Sequence, residues 1–211
     1  MLALISRGCT MLHKFKGLFH KDSLEDKIPL VIVNLETALN RLDRISESLR
    51  KEDNELFERC VKARLENDAV HAMMYANECA EMRKIALLVV SSKYALEQMV
   101  LRLQTVAKLG SILVTVSPVV DVIKETQSRL VGIVPNVANN LNEANKILVN
   151  SLVKMGTSSV GGVKPLVYSE DAEKVLDEAK IAAEETIRER FPKIPETLRE
   201  RMLNQAELLA S

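Results

Sequence analysis

The sequence is poor in aromatic residues, and this limits the kinds of core that it can build. Phenylalanine, tyrosine and tryptophan together make up 3% of the 211 residues, and tryptophan is absent. Leucine, alanine, valine, glutamate, lysine and arginine dominate instead. This composition suits helix pairs better than a β-sandwich, a barrel or a thick mixed core. We therefore expect an all-α protein.

The residues that usually carry catalysis or bind metals are few and scattered. The three cysteines, Cys9, Cys60 and Cys79, are odd in number and lack CxxC spacing, so we expect reduced thiols inside a cell. The three histidines do not share ligand spacing with each other or with a cysteine. We expect no metal and no cofactor.

Acidic pairs also give no sign of acid–base catalysis. Pairs such as Glu52-Asp53 and Glu184-Glu185 fit solvated charges on helix surfaces, with no apolar pocket to raise a pKa. No nucleophile is recognisable beside a base. We therefore expect that the protein is not an enzyme.

Long hydrophobic runs are missing as well. No stretch approaches the roughly 20 apolar residues of a membrane span, and the most apolar one, 112–123, contains Pro118 and Asp121. The apolar start is too short for a signal-peptide core. The formal net charge is zero, and no aromatic platform could stack bases. These features predict a cytoplasmic protein that does not bind nucleic acid.

The chain does contain one very long helical pattern. Apolar residues recur every seven positions along its first half, with two more at intervening positions: Leu35, Leu42, Leu49, Leu56 and Ala63, with Ala38 and Ile45. A second seam follows in Met82, Ile85, Val89, Leu96, Met99, Leu103 and Val106. No glycine or proline interrupts the chain between Leu30 and Leu109. The pattern is too long for an ordinary helix, so it makes a rod or turns back.

Two places could hold the turn. Asp53-Asn54 looks like a break, but the seven-residue phase passes through it. At Glu66-Asn67-Asp68 the phase is lost, Asn67 can adopt a left-handed conformation, and Asp68 can cap the next helix. We predict a long antiparallel helical hairpin with arms 27–65 and 69–108, each about 60 Å long.

The remainder predicts shorter helices and one linker. Ser117-Pro118 suits a helix start that continues to about Gly132. Further segments are a helix at 135–154, a Gly- and Ser-rich linker at 156–168, an acidic helix from Ser169 to about 190, and a last helix at 196–209. The glycine spacing in 156–163 resembles a P-loop but lacks its lysine and hydroxyl, so we reject a nucleotide site. The predicted division is 1–24, 25–155, 156–168 and 169–211.

The N-terminal segment has the pattern of a short amphipathic helix. Bulky apolar residues fall within an arc of about 120°, and the lysines fall outside it. Such a helix fits the surface of an anionic membrane, and the candidate membrane-binding residues are Met11, Leu12, Lys14, Phe15, Lys16, Leu18, Phe19 and Lys21. Docking on the hairpin and a disordered tail are the alternatives. Met11 is an alternative start to Met1.

The order of these pieces resembles the ESCRT-III family, with the closest likeness to its archaeal cell-division (Cdv) members. The likeness covers about 14–153 and is carried by Asn67-Asp68-Ala69, Met74-Tyr75-Ala76-Asn77-Glu78, Ala95-Leu96-Glu97-Gln98, Leu101-Arg102-Leu103 and Ser117-Pro118-Val119-Val120. The resemblance implies a subunit that switches between a closed form and an open form. The open form would polymerise with itself and with ESCRT-III paralogues on the inner face of the plasma membrane at the division site. There the filament would drive constriction and scission.

The resemblance also implies a partner ATPase. In the family, an AAA ATPase binds a C-terminal proline motif through its MIT domain, and Phe191-Pro192-Lys193-Ile194-Pro195 is similar to that motif. A plain kink between two helices is the alternative for this segment. The chain ends at Ser211 without the winged-helix-binding module of some relatives, which suggests a shorter paralogue.

The residues independently favour such a switch. A hairpin seals its own seam but leaves outer apolar residues such as Leu39, Leu87, Leu88 and Val90 in need of partners. Either the late helices or neighbouring subunits would cover them. The hypothesis of another class is a helical coiled-coil adaptor that acts only between proteins.

Overall fold

The computed structural model of the protein describes residues 24–109, 113–154 and 170–193. These residues form five α-helices and no strand, which confirms the all-α prediction. The helices are α1 (Leu24–Leu65), α2 (Ala69–Leu109), α3 (Leu113–Leu130), α4 (Pro135–Lys154) and α5 (Glu170–Arg190). The predicted N-terminal amphipathic segment, the linker and the last helix lie outside the described residues.

The turn between α1 and α2 is where the sequence predicts it. Asn67 has a φ of 59°, the left-handed conformation that ends a helix. The Asp68 amide donates to the Ala63 carbonyl at 2.9 Å, and the Asn67 amide donates to the Arg64 carbonyl at 3.2 Å. This pair of bonds is a Schellman motif. The Asp68 carboxylate then accepts the His71 amide at 3.1 Å and so caps α2.

The chain forms two compact units that share the long helices. Unit 1 consists of the described residues of Met1–Asn40 and Ala95–Val175, and unit 2 of those of Arg41–Tyr94 and Leu176–Ser211. Unit 1 therefore contains the start of α1, the end of α2, and all of α3 and α4. Unit 2 contains the turn, the adjoining parts of α1 and α2, and most of α5.

Unit 1 has the larger apolar core. Leu35 of α1, Leu96 and Leu103 of α2 are fully buried, as the seam predicts. The long first helix begins at Leu24, three residues earlier than predicted, because Leu24 and Ile28 are buried too. The α3 and α4 helices pack together. The apolar spacing of their sequences predicts nine inward residues, and all of them are buried except Ile147, which is half-buried: Val119, Val122, Ile123, Leu130, Val137, Leu141, Ala144, Ile147 and Leu148.

The predicted start of α3 at Ser117-Pro118 is wrong. The helix begins at Leu113, and Pro118 lies inside it. A proline there removes one hydrogen bond to the carbonyl one turn earlier. Val116 and Val119 are both fully buried, and the burial of apolar side chains around Pro118 offsets that loss.

Unit 2 has a thinner core made largely of small side chains. Leu42 and Val89 are buried, but Ile45, Leu49 and Leu56 are only half-buried, so the seam is less sealed here than the heptad pattern predicts. The α2 helix presents alanines along much of this length, and small side chains cover long ones incompletely. Polar pairs supplement the apolar contacts in this unit.

Candidate functional site

The α5 helix is amphipathic, and its apolar face is buried within unit 2. Leu176, Ala179 and Ala183 are at most 9% exposed. The apolar spacing of the sequence also predicts Ala182 on this face, but Ala182 is exposed. The buried positions are three and four residues apart, as one face of a helix requires. Most of the buried side chains are small, so this face contributes little apolar area.

Polar contacts join α5 to both helices of the hairpin. The Tyr94 hydroxyl of α2 lies 2.8 Å from the Thr186 hydroxyl of α5. Because Thr186 donates its own proton to the Ala182 carbonyl at 3.0 Å, Tyr94 is the donor in this pair. Arg190 at the end of α5 lies 3.9 Å from the Glu47 carboxylate of α1. Exposed ion pairs of this kind contribute little stability.

Arg83 makes polar contacts with two other parts of unit 2. Its guanidinium binds the Asp53 carboxylate through two hydrogen bonds of 2.9 Å each, which joins α2 to α1. The same guanidinium donates to the Pro192 carbonyl at 3.2 Å and lies 5.9 Å from the centre of the Phe57 ring. A planar fork with five N–H groups can serve two acceptors in this way. Arg83 therefore connects α1, α2 and the segment after α5.

Asp53 corrects one of the sequence predictions. Its side chain is completely buried, so it is not the solvated charge predicted for Glu52-Asp53, although Glu52 is exposed. Both Glu184 and Glu185 are exposed as predicted. The partner of Asp53 is 30 residues away in the sequence, so local pattern does not reveal the pair. The pair can be recognised only once the position of the turn at Asn67 is known, because that turn places Arg83 opposite Asp53.

The proline segment begins inside this junction. Phe191 is only 6% exposed, Pro192 is half-buried, and Lys193 is exposed. The helix ends at Arg190, as the two prolines predict. Ile194 and Pro195, the other two candidate ATPase-binding residues, lie outside the described residues. So do all the candidate membrane-binding residues between Met11 and Lys21.

Neither a metal site nor a membrane span is found in the part of the chain that the structure describes. No three histidine, cysteine, aspartate or glutamate residues within 24–109, 113–154 and 170–193 could hold a metal ion together. Among the same residues, no helix is apolar over a sufficient length to cross a bilayer. Cys60 and Cys79 are free thiols.

Known proteins resemble this chain over most of its length. Cell division protein B1 of Sulfolobus acidocaldarius is 36% identical over 176 residues, which cover 83% of this chain and 82% of that protein. Cell division protein B of the same organism is 28% identical over 190 residues, covering 88% and 73%. No family model matches, and no solved structure matches. The likeness to protein B1 shows that the chain belongs to the family of these archaeal cell-division proteins.

Proposed function

We propose that the protein is an ESCRT-III-like filament subunit that polymerises on the cytosolic face of the membrane and drives constriction and scission in cell division. Two relatives carry names that assign them to cell division, and a role of this chain in archaeal cell division follows from the family. The proposal adds three things to this role: binding to a membrane, assembly into a filament, and remodelling by an ATPase. A purely structural role without catalysis is part of it.

The observation that carries the proposal is the attachment of α5 to the hairpin. Mostly small apolar side chains, the Tyr94–Thr186 hydroxyl pair and the exposed Arg190–Glu47 ion pair help to hold α5, and a helix attached in this way is suited to release. Two packings that differ by a few kcal/mol can interconvert and respond to a partner. The conformation with α5 attached then corresponds to the closed subunit, and release of α5 uncovers hairpin surface for a neighbouring subunit.

The position of the proline segment extends this proposal to the ATPase. Phe191 is buried and the Pro192 carbonyl is occupied by Arg83, so the start of the candidate MIT-binding motif is engaged within the closed subunit. An extended peptide needs its apolar side chains and backbone free to enter a groove between helices. The ATPase would therefore bind 191–195 after this segment leaves Arg83, which favours open subunits over closed ones.

Sedimentation with anionic vesicles, followed by electron microscopy, tests the lipid and filament parts together. We expect the full chain to bind the vesicles and form filaments on them, and a chain lacking residues 1–21 to lose binding. A sharper variant is Phe15→Ser with Phe19→Ser, which removes two bulky residues from the apolar face. The matched control is His13→Ser with His20→Ser, which changes the opposite side.

The two classes of function differ in the expected result. Loss of vesicle binding in the phenylalanine variant but not in the histidine variant supports a lipid-facing apolar surface. Equal binding by the truncated and full chains would contradict the lipid assignment. A fixed small oligomer that is indifferent to vesicles would favour the helical adaptor instead.

A further inference from the structure

An open apolar groove lies between α1 and α2 beside the turn of the hairpin. Its volume is about 420 Å³, and its walls include Phe57, Cys60 and Met73, with alanines of α2 between them. Arg64 lines the groove next to the turn, and Arg83 lines it fourteen residues along α2 from Ala69. Met73 is 65% exposed, so the described residues leave this part of the groove uncovered.

The described chain ends at the edge of this groove. Arg83, which lines the groove, donates its hydrogen bond to the Pro192 carbonyl, and Lys193 is the last described residue. The chain continues for 18 more residues, from Ile194 to Ser211. These residues therefore start at one end of an uncovered apolar groove within unit 2.

The length of the remaining segment matches the length of the groove. After Pro195, the sequence of 196–209 predicts a helix of 14 residues, about 21 Å long. The stretch of α2 from Ala69 to Arg83 that lines the groove also rises by about 21 Å. A helix that starts at Arg83 would reach the turn without extending past it.

The pattern of the segment matches the chemistry of the groove. Leu198, Met202, Ala206 and Leu209 fall within an arc of about 80° on a helical wheel, and the charged residues lie outside that arc. The alanines of α2 allow a second helix to approach closely. Arg64 at the far end would face the C-terminal carbonyls of the docked helix, where the helix dipole is negative.

We propose that residues 196–209 form an amphipathic helix that docks in the groove between α1 and α2 at the tip of the hairpin. The docked helix covers Met73 and Cys60 and adds apolar contacts to the thin core of unit 2. The proposal concerns the isolated subunit and does not depend on filament formation or on lipid.

Alkylation of Cys60 measures whether the groove is covered. The experiment uses the full chain carrying Cys9→Ser, iodoacetamide at pH 7.5, and mass spectrometry to quantify each cysteine separately. Cys60 is half-buried and lines the groove. Burial, together with the nearby Asp53 charge, raises the pKa of Cys79 to about 11, so that thiol is rarely ionised at this pH and competes little.

The test variant is Leu198→Asp with Met202→Asp, which places two charges on the apolar face of the segment. We expect Cys60 to react about tenfold faster in this variant than in the parent, because two buried apolar side chains are lost from the docked helix. The control variant, Thr197→Asp with Asn204→Asp, adds the same charge to the opposite face and should leave the rate unchanged. Glu78→Cys, exposed and outside the groove, serves as a reference thiol in each chain.

Two results would overturn the proposal. One is a Cys60 rate that is the same in the parent, the test variant and a chain ending at Lys193. The other is protection of Cys60 that rises with protein concentration, because this would identify a second copy as the occupant. Acceleration of Cys60 at constant Glu78→Cys reactivity, independent of concentration, supports docking of the chain's own terminal segment.

Discussion

Arg83 combines a bidentate bond to Asp53, a cation–π contact with the Phe57 ring and a hydrogen bond to the Pro192 carbonyl, which differ in their energetic character. The bidentate bond to Asp53 joins a fully buried aspartate side chain to an arginine side chain that is 32% exposed, so the arginine remains partly in contact with water. A buried charge is costly to leave unpaired, whereas replacing both charges by apolar groups is often close to neutral. The third contact, to the Pro192 carbonyl, adds a tether that apolar groups cannot supply.

This difference gives a prediction for single and double variants. Arg83→Met leaves the Asp53 carboxylate buried without its partner and should lower the free energy of unfolding by about 3 kcal/mol. Asp53→Leu combined with Arg83→Met should restore most of that loss, because no buried charge remains. Urea denaturation followed by circular dichroism measures both values.

The same double variant separates stability from tethering. It keeps the hairpin stable but lacks the donor to Pro192, so limited proteolysis should cut the 191–193 segment faster than in the parent. Equal cutting would show that the Arg83–Pro192 bond contributes nothing to holding the segment. A double variant that is as unstable as Arg83→Met would contradict the desolvation argument.

At the scale of the element, the turn between α1 and α2 concentrates the local signals. Asn67 ends α1 in a left-handed conformation. Asp68 has two roles: its amide completes the Schellman motif of α1, and its carboxylate caps α2. Hydrogen bonds from His71, first from its backbone amide and then from its side chain, lower the pKa of Asp68. The charged carboxylate therefore stabilises the fold above its ordinary pKa of 3.8, and this contribution is lost as the pH falls below that value.

Substitutions at Asn67 test the backbone conformation of this turn. Asn67→Gly should be neutral or slightly stabilising, whereas Asn67→Val should lower the free energy of unfolding by about 1–2 kcal/mol, because a β-branched residue is strained at positive φ. Asp68→Ala should lower the melting temperature at pH 7, and its difference from the parent should shrink below pH 4. Thermal melts at both pH values measure these effects, and a stable Asn67→Val variant would argue against the left-handed turn.

Local signals explain which elements the sequence predicts well. The turn at Asn67, the α4 start at Pro135 and the α5 end before Pro192 each depend on residues within one or two helical turns. The start of α3 was mispredicted because Pro118 is a local signal that tertiary burial overrides. The burial of Asp53 escaped prediction because its partner is distant in the sequence. The contacts of Tyr94 and Arg83 with the α5 region escaped it for the same reason.

At the scale of the whole molecule, the attachment of α5 decides which surfaces are free. Ala183 is fully buried and Ala182 is exposed, although they are adjacent on the same helix. A glutamate at a buried position of this face must bring its charge to water, and α5 can do so by leaving the hairpin. A glutamate at an exposed position changes only the surface charge.

These neighbours supply a matched pair of variants for the proposed switch. Ala183→Glu should make α5 sensitive to proteolysis and lower the protein concentration at which filaments appear, because more of the subunit is open. Ala182→Glu carries the same charge and should behave like the parent in both measurements. Light scattering and electron microscopy follow assembly. If Ala183→Glu releases α5 without promoting assembly, the closed form is not what restrains the filament.

Two ion pairs in unit 2 fix the register of α1 relative to α2. Asp43 pairs with Lys93 and Asp53 pairs with Arg83, so a step of ten residues along α1 corresponds to a step of ten residues back along α2. A shift of either helix by one turn would separate both pairs at once and strand the buried carboxylate. Insertions or deletions in one arm alone are therefore penalised unless the other arm changes by the same amount. The ten-residue spacing between the charged residues is the same on both arms and fixes their register.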